Sequence, residues 1–359
     1  MGPMPERAFQ VDADEELHGA IADAQRVGRL PPVRLGERLL GAGTDEGLDF
    51  VEVSGDELRQ LVAGRRLPRW VAAKTPLSGG YVETRALMRD QELVTVCEEA
   101  ACPNIGQCWG RGTATFMIGG SHCTRGCGFC NVITARPLGP PDPDEPRRIA
   151  DAAAHMGLSF VVVTAVARDD LPDGGAEHFA ATVAALRERL PEARVEILVP
   201  DFRGSWDALD IVVGAAPDVL NHNTETVPRL YSTVRPGARY ERTLELLARA
   251  RASGMRTKSG IMVGLGESLD EIRAVFADLA AVGCELVTVG QYLRPTNHHL
   301  PVVRYYAPAE YPALADMGRE CGLAHVEAGP LVRSSFEADR VADAVGEPFI
   351  GAAEASQVA

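Results

Sequence analysis

From about residue 115 onward the chain alternates short β-branched runs with longer amphipathic stretches, a rhythm that leaves few folds open. Runs of this kind bounded by turn formers read as strands, and the stretches between them as helices. Six strands are predicted at 114–118, 160–164, 195–199, 219–222, 257–263 and 286–291. Helical patterns at 145–156, 177–190, 241–252 and 268–282 separate them, each ending near a Gly or Pro. Parallel strands joined by right-handed crossovers carry their helices outside. The expected fold class is therefore α/β, a partial parallel (β/α)6 barrel with N-terminal and C-terminal extensions.

Composition narrows the function classes. A net charge of −14 argues against a bulk cationic surface for nucleic acid or anionic membrane, and 46% hydrophobic residues can bury a substantial core. The start of the chain carries Glu6, Asp12, Asp14, Glu15 and Glu16 where a secretory signal needs a basic start and an apolar stretch. The longest apolar run, 160–167, falls far short of the roughly 20 residues that span a bilayer. The expectation is a cytoplasmic protein, whose eight cysteines serve as thiolates rather than disulfides.

Six of those cysteines fall in two groups of three. CTRGCGFC spaces Cys123, Cys127 and Cys130 as C-x3-C-x2-C on a Gly-containing loop directly after a predicted strand. Soft thiolates suit iron-sulfur clusters, and three ligands on a four-iron cube leave one iron free for an exchangeable ligand. Structural zinc normally takes four Cys or His ligands; His122 would supply a fourth, so zinc stays open on donor chemistry alone. CEEAACPNIGQC spaces Cys97, Cys102 and Cys108 as C-x4-C-x5-C, again three ligands, which points to a second open cluster. Cys284 and Cys321 stand alone and read as buried small hydrophobes.

The remaining polar residues gather just after the strands, where the loops of a βα barrel converge on one mouth. ARDDLPDGG follows the second strand with Arg168, Asp169 and Asp170, and its Pro and Gly residues read equally as a solvated turn. Glu196 is a carboxylate inside an otherwise apolar strand. Asn221 and Asn223 follow the fourth strand, in a segment that also reads as a helix cap. GIMVGLGE, ending in Glu267, lets backbone approach a ligand closely because glycine carries no Cβ. Lys258 and Arg168 are cationic candidates for a ligand carboxylate, and His298 and His299 sit in a Pro-bounded loop that reads as surface or as a substrate path.

The C-x3-C-x2-C loop, with Phe129 before its last Cys, resembles the radical S-adenosylmethionine (SAM) superfamily. The wider text, CEEAACPNIGQCW, GTATFMIGG, ARDDLPDGG, NHNTETVPRLY, TKSGIMVGLGE, GQYLRPTNHHLPV and GPLVRSS, resembles the lipoyl synthase family within it, from about Pro68 to about Asp339. The resemblance implies a 4Fe-4S cluster on Cys123, Cys127 and Cys130 that binds SAM and reduces it to methionine and a 5′-deoxyadenosyl radical. That radical would abstract hydrogen from carbons six and eight of a protein-bound octanoyl chain. A second 4Fe-4S cluster on Cys97, Cys102 and Cys108, with Ser334 of the RSS motif as fourth ligand, would be consumed as sulfur donor. Similarity to the family also places ARDDLPDGG, with Arg168, Asp169 and Asp170, and GIMVGLGE, with Glu267, near SAM; Phe129, Glu196, Asn221, Asn223 and Lys258 are read as further residues near it.

Implied partners are an octanoylated lipoyl-carrier domain or glycine-cleavage H protein, and a ferredoxin or flavodoxin-type electron donor. The domains expected are an extension at 1–66 with one helix near 14–27, an auxiliary-cluster segment at 67–113, the barrel at 114–330, and a tail at 331–359. Phe336 stands where the family usually has Tyr, which removes a hydroxyl and leaves the cluster ligands in place. Ser334 has a second reading as helix cap, since Glu337 three positions on gives a capping-box pattern. The rival functions are a paralogue that sulfurates another aliphatic substrate and a non-catalytic iron-sulfur carrier.

Overall fold

The structure, a computed structural model, describes residues 68–71, 79–136 and 139–344. Before them it gives the backbone of three short strands, Val33–Leu35, Arg38–Leu40 and Val51–Glu52, paired in a small sheet. The helix expected near 14–27 and the tail beyond 344 lie outside the described residues.

One parallel sheet organises the rest. Its strands are β1 (Thr115–Ile118), β2 (Phe160–Ala165), β3 (Arg194–Leu198), β4 (Val219–Asn221), β5 (Thr257–Val263), β6 (Leu286–Gln291) and β7 (His325–Gly329), adjacent in chain order. Sequential order is what repeated right-handed βα crossovers produce. The partial barrel expected from the sequence is present, with one strand beyond the predicted six. That strand reads HVEAG, too short and polar to stand out. Among the described residues, the helices α1 (Gly79–Asp90), α2 (Val96–Glu99) and α3 (Ile105–Gly110) precede β1. The crossover helices are α4 (Glu145–His155), α5 (Ala176–Arg189), α6 (Trp206–Gly214), α7 (Tyr240–Ala252), α8 (Leu269–Ala281) and α9 (Tyr311–Glu320). A last helix, α10 (Ala338–Asp343), follows β7. Among the described residues no helix is long and apolar enough to cross a membrane.

Strand alternation sorts the side chains. Phe116, Ile118, Val161, Val163, Val195 and Ile197 join one buried cluster with the helices, and Ile261, Val263, Val287, Val289 and Val326 join a second. Period-2 geometry turns their neighbours to the other, concave face. That face carries Glu196, Asn221, Lys258, Gly260 and Thr288, all buried or lacking a side chain. At the strand N-termini, Val219 and Leu286 pack against Val341 and Ala342 of α10, which closes that end. Beyond β7 the chain therefore reaches from the C-terminal end of the sheet to its opposite end, carrying the RSS motif between.

Candidate metal centres at the barrel mouth

The loop after β1 is anchored on several sides. Gly119 donates its N–H to Glu145 at 2.9 Å and accepts from Arg168 Nη1 at 3.0 Å. Thr124 bonds the Ala167 carbonyl through both its N–H (3.0 Å) and its Oγ1 (2.9 Å), tying the loop to the end of β2. Arg125 donates Nε and Nη2 to Asp169, both at 2.8 Å, and its Nη2 lies 2.6 Å from Asp201 beyond β3. Bidentate guanidinium contacts of this kind fix geometry as well as charge. Burial alone would raise the Asp201 carboxyl, but the Arg125 hydrogen bond and charge hold it well below the usual carboxylate range. Arg242 adds a second contact to Asp201 at 2.9 Å.

Within the loop, the N–H groups of Ala167 and Arg125 point at Cys123 Sγ at 3.3 and 3.4 Å, the kind of contact that tunes metal-bound sulfur. Gly128 is wedged between the 234 and 300 segments: it donates to Val234 O, accepts from Leu300 N, and a Cβ there would lie 2.9 Å from the Leu300 side chain. Phe129 packs against the second core cluster. Burial pushes the Cys127 thiol up to about 11 and the Cys130 thiol to about 12.

The other trio is carried by α2 (Cys97), the turn that follows (Cys102) and α3 (Cys108). Burial pushes Cys97 up to about 12 and Cys108 to about 11, and the charge of Cys102 raises both further. Cys102 itself is raised by burial. Asn131 Nδ2 donates to the Glu99 carbonyl at 2.9 Å, linking the two cysteine segments. Asn104 Nδ2 donates to the Leu331 carbonyl at 2.7 Å, and Arg111 pairs with Glu337 at 3.1 Å. These contacts set the first trio beside the RSS segment across the gap between β1 and β7. The Ser334 hydroxyl donates to Asn223 Oδ1 at 2.9 Å. The helix-cap reading of Ser334 does not hold, because α10 starts at Ala338 with Glu337 as its N-cap, in the left-handed region at φ 47°.

Other predicted site residues are placed as follows. Arg168 bonds Asp170 through Nε and Nη2 at 2.9 Å each. Glu196 and Lys258, both fully buried, pair at 2.9 Å through both carboxylate oxygens, and Asn221 Nδ2 donates to the same carboxylate. Glu267 folds back to accept from the N–H groups of Gly264 and Leu265 and from Tyr306 Oη. His299 Nε2 sits 3.0 Å from the Cys130 carbonyl, while His298 is exposed. His122 is exposed, with Nδ1 3.1 Å from Ser121 Oγ. Cys284 is buried as expected; Cys321 is only half-buried at the end of α9. Asp169 and Asp170, with Thr124, Thr134, Ala135 and Arg136, line an open cavity of about 420 Å³. Sequence reasoning missed Arg235, buried behind the site, because a lone Arg with no periodic context reads as surface.

Among the described residues no three His, Cys, Asp or Glu side chains converge on one point as single-ion ligands must. Of the six thiols Cys97 is buried and the other five are half-buried; soft thiolates in sets of three suit the corners of a 4Fe-4S cubane.

Comparison with known proteins agrees with this geometry. The radical SAM superfamily profile matches residues 117–279, and the profile of the N-terminal domain of lipoyl synthase matches residues 40–102. The lipoyl synthase of Xylella fastidiosa strain M12 is 53% identical over 289 residues, covering 79% of this chain and 77% of that protein. The lipoyl synthase of Methylococcus capsulatus is 54% identical over 284 residues, covering 78% and 88%. Among solved structures, HydG, a maturase of the FeFe-hydrogenase, superposes with a TM-score of 0.50 at 13% identity over 82% of this chain and 70% of that one, a likeness of fold. Fold and cysteine loop together define a radical SAM protein, with the 4Fe-4S cluster and SAM that this superfamily implies. Within that class, the identity over most of its length shows that the chain belongs to the lipoyl synthase family.

Proposed function

We propose that the protein inserts two sulfur atoms, at carbons 6 and 8, into a protein-bound octanoyl-lysine. The observation that carries this reading is the placement of two thiol trios, one locked to the ends of β2 and β3 by Arg125, the other joined to the RSS segment by Asn104. Cys123, Cys127 and Cys130 would hold the cluster that binds SAM. Cys97, Cys102 and Cys108, with Ser334, would hold a second 4Fe-4S cluster. When bound, these groups supply the carbon-hydrogen cleavage and the sulfur; the chain positions, orients and excludes water.

Arg125 holds the loop in register with Asp169 and Asp201, so the three thiols face the mouth together. Asp169 and Asp170 border the open cavity proposed for SAM, with Arg168 bracing Asp170 from behind, while Phe129 packs into the second core cluster. Asn221 offers a buried Oδ1 without a hydrogen-bond partner, an acceptor suited to a ribose hydroxyl. Glu196 and Lys258 satisfy each other and are proposed to form a rigid floor beneath the ligand; Glu267 holds the Gly264 turn against it. The partners proposed are an octanoylated lipoyl-carrier domain or H protein, and a ferredoxin or flavodoxin-type donor, in the cytoplasm.

Iron counting with product analysis tests the assignment. The anaerobically reconstituted chain should hold about eight irons, four per cubane. Changing Cys123, Cys127 and Cys130 to Ala should halve the iron and abolish SAM cleavage. Changing Cys97, Cys102 and Cys108 to Ala should also halve it, yet leave 5′-deoxyadenosine formation while removing sulfur from an octanoyl-lysine peptide. Sulfur-containing product from the second variant would overturn the donor assignment.

A further inference from the structure

We infer that Asn223, its amide held by Glu225, is the positioning residue that aims the Ser334 hydroxyl at the Cys97, Cys102 and Cys108 set. The inference rests on the reading of Ser334 as the fourth ligand there.

The hydrogen bonds around Asn223 run in one direction. Asn223 Nδ2 donates to Glu225 Oε1 at 3.0 Å; burial raises the Glu225 carboxyl, while the charge of Arg235, this hydrogen bond and the charge of Arg333 favour its ionised, accept-only form, so the amide nitrogen faces Glu225 and the amide oxygen Ser334. Ser334 Oγ then spends its one hydrogen on Asn223 Oδ1, and both of its lone pairs are left to face another centre. Glu225 is itself held in place. It has a left-handed backbone at φ 67°, its N–H donates to Gly260 O, and its carbonyl accepts from Met262 N. Arg235 Nη1 donates to the carbonyls of Asn223 and Thr224, fixing the turn from below.

Gly260 is the second observation. It lies in β5 with no requirement for positive φ, so its backbone would accept a side chain. A Cβ there would nevertheless fall 2.7 Å from Thr288 Oγ1, 2.8 Å from Asn223 Oδ1 and 3.0 Å from Ser334 Oγ. The missing side chain is the space in which the amide and the hydroxyl meet. From the other side, Asn104 holds Leu331 and Gly290 lets Val332 lie against β6. The RSS segment thus has an outer attachment beside the cysteine trio and an inner one at Asn223, with Ser334 between. Partners that orient a metal ligand commonly matter by one to two orders of magnitude in metal retention.

The test reads iron retention and the Mössbauer spectrum of 57Fe-reconstituted holoenzyme during chelator challenge, with Ser334→Ala as reference. An unchanged spectrum and rate in Ser334→Ala would sink the ligand reading itself. If Ser334→Ala alters the auxiliary cluster, then Asn223→Ala should alter the same spectral component and speed iron loss from it roughly 10–100-fold. Gly260→Ala should act in the same direction. Asn223→Asp alone sets two carboxylates against each other and should behave like Asn223→Ala. Combining it with Glu225→Gln reverses donor and acceptor, restores the bond, and should recover slow iron loss. Parent-like retention in Asn223→Ala, a double variant no better than Asn223→Asp alone, or equal acceleration at both clusters would each overturn the inference.

Discussion

A buried histidine gives the most direct handle on single side chains. His222 is fully buried, with Nδ1 2.8 Å from the Val199 carbonyl and Nε2 3.1 Å from Thr243 Oγ1. Burial, aided by the charge of Arg235, pushes its pKa down from 6.5 to about 4. In the unfolded chain the ring takes up its proton near pH 6.5, in the folded chain only near pH 4, so between these values the unfolded state binds more protons. Its contribution to stability is constant above 6.5 and is lost as pH falls toward 4, by roughly 1.4 kcal/mol per pH unit at most. Urea titrations at pH 7, 6 and 5 should find the stability gap between parent and His222→Gln shrinking with acidity. A constant gap would mean the ring already shares solvent. Sequence alone reached the identity of such residues but not their roles. Lys258 reads as a ligand for a carboxylate, and what it meets is Glu196, brought beside it by the β3–β4–β5 register.

At the scale of elements, strands rich in β-branched residues between turn formers were legible: β5 and β6 occupy the predicted positions 257–263 and 286–291. α8 falls within the predicted 268–282, and a capping box of Ser268 and Glu271, a signal local in sequence, starts it. β7 was not, since HVEAG becomes a strand only by pairing along β6, a non-local contact. The same pairing brings the RSS segment close enough that a Cβ on Gly290 would lie 2.1 Å from the Val332 carbonyl. A backbone atom cannot swing aside, so Gly290→Ala should displace the 330–335 segment and destabilise the fold by about 1–3 kcal/mol. Gly214, at the end of α6 with open space around it, is the control, and Gly214→Ala should be neutral or stabilising by up to about 1 kcal/mol. Thermal melts, with hydrogen exchange over 331–336, distinguish local displacement from general loosening.

For the molecule as a whole, the βα rhythm gave the fold class and the cysteine spacings picked out the two thiol trios, because each is written in a contiguous stretch. How the two sets are brought together was not legible, as it depends on non-local contacts: Asn131 with Glu99, and Asn104 with Leu331 beside the RSS segment. α10 covers Val219 and Leu286, and Asp343 pairs with Arg194 at 2.6 Å. Deleting residues 338 onward should therefore lower the urea midpoint and also the m-value, since less surface is buried on folding. An unchanged m-value would show that the base of the barrel is closed by something else.

The joint between Asn104 and Leu331 spans 227 residues of chain. At synthesis rates of roughly 5–20 residues per second, the early cysteines leave the ribosome some ten to fifty seconds before the serine motif exists. Each βα unit can dock on its predecessor as it emerges, but the site shared by the first and last parts cannot. Under the proposed assignment, iron and sulfide would complete that site only after translation has passed β7, and whatever guards Cys97, Cys102 and Cys108 from oxidation during that interval would not be the finished protein.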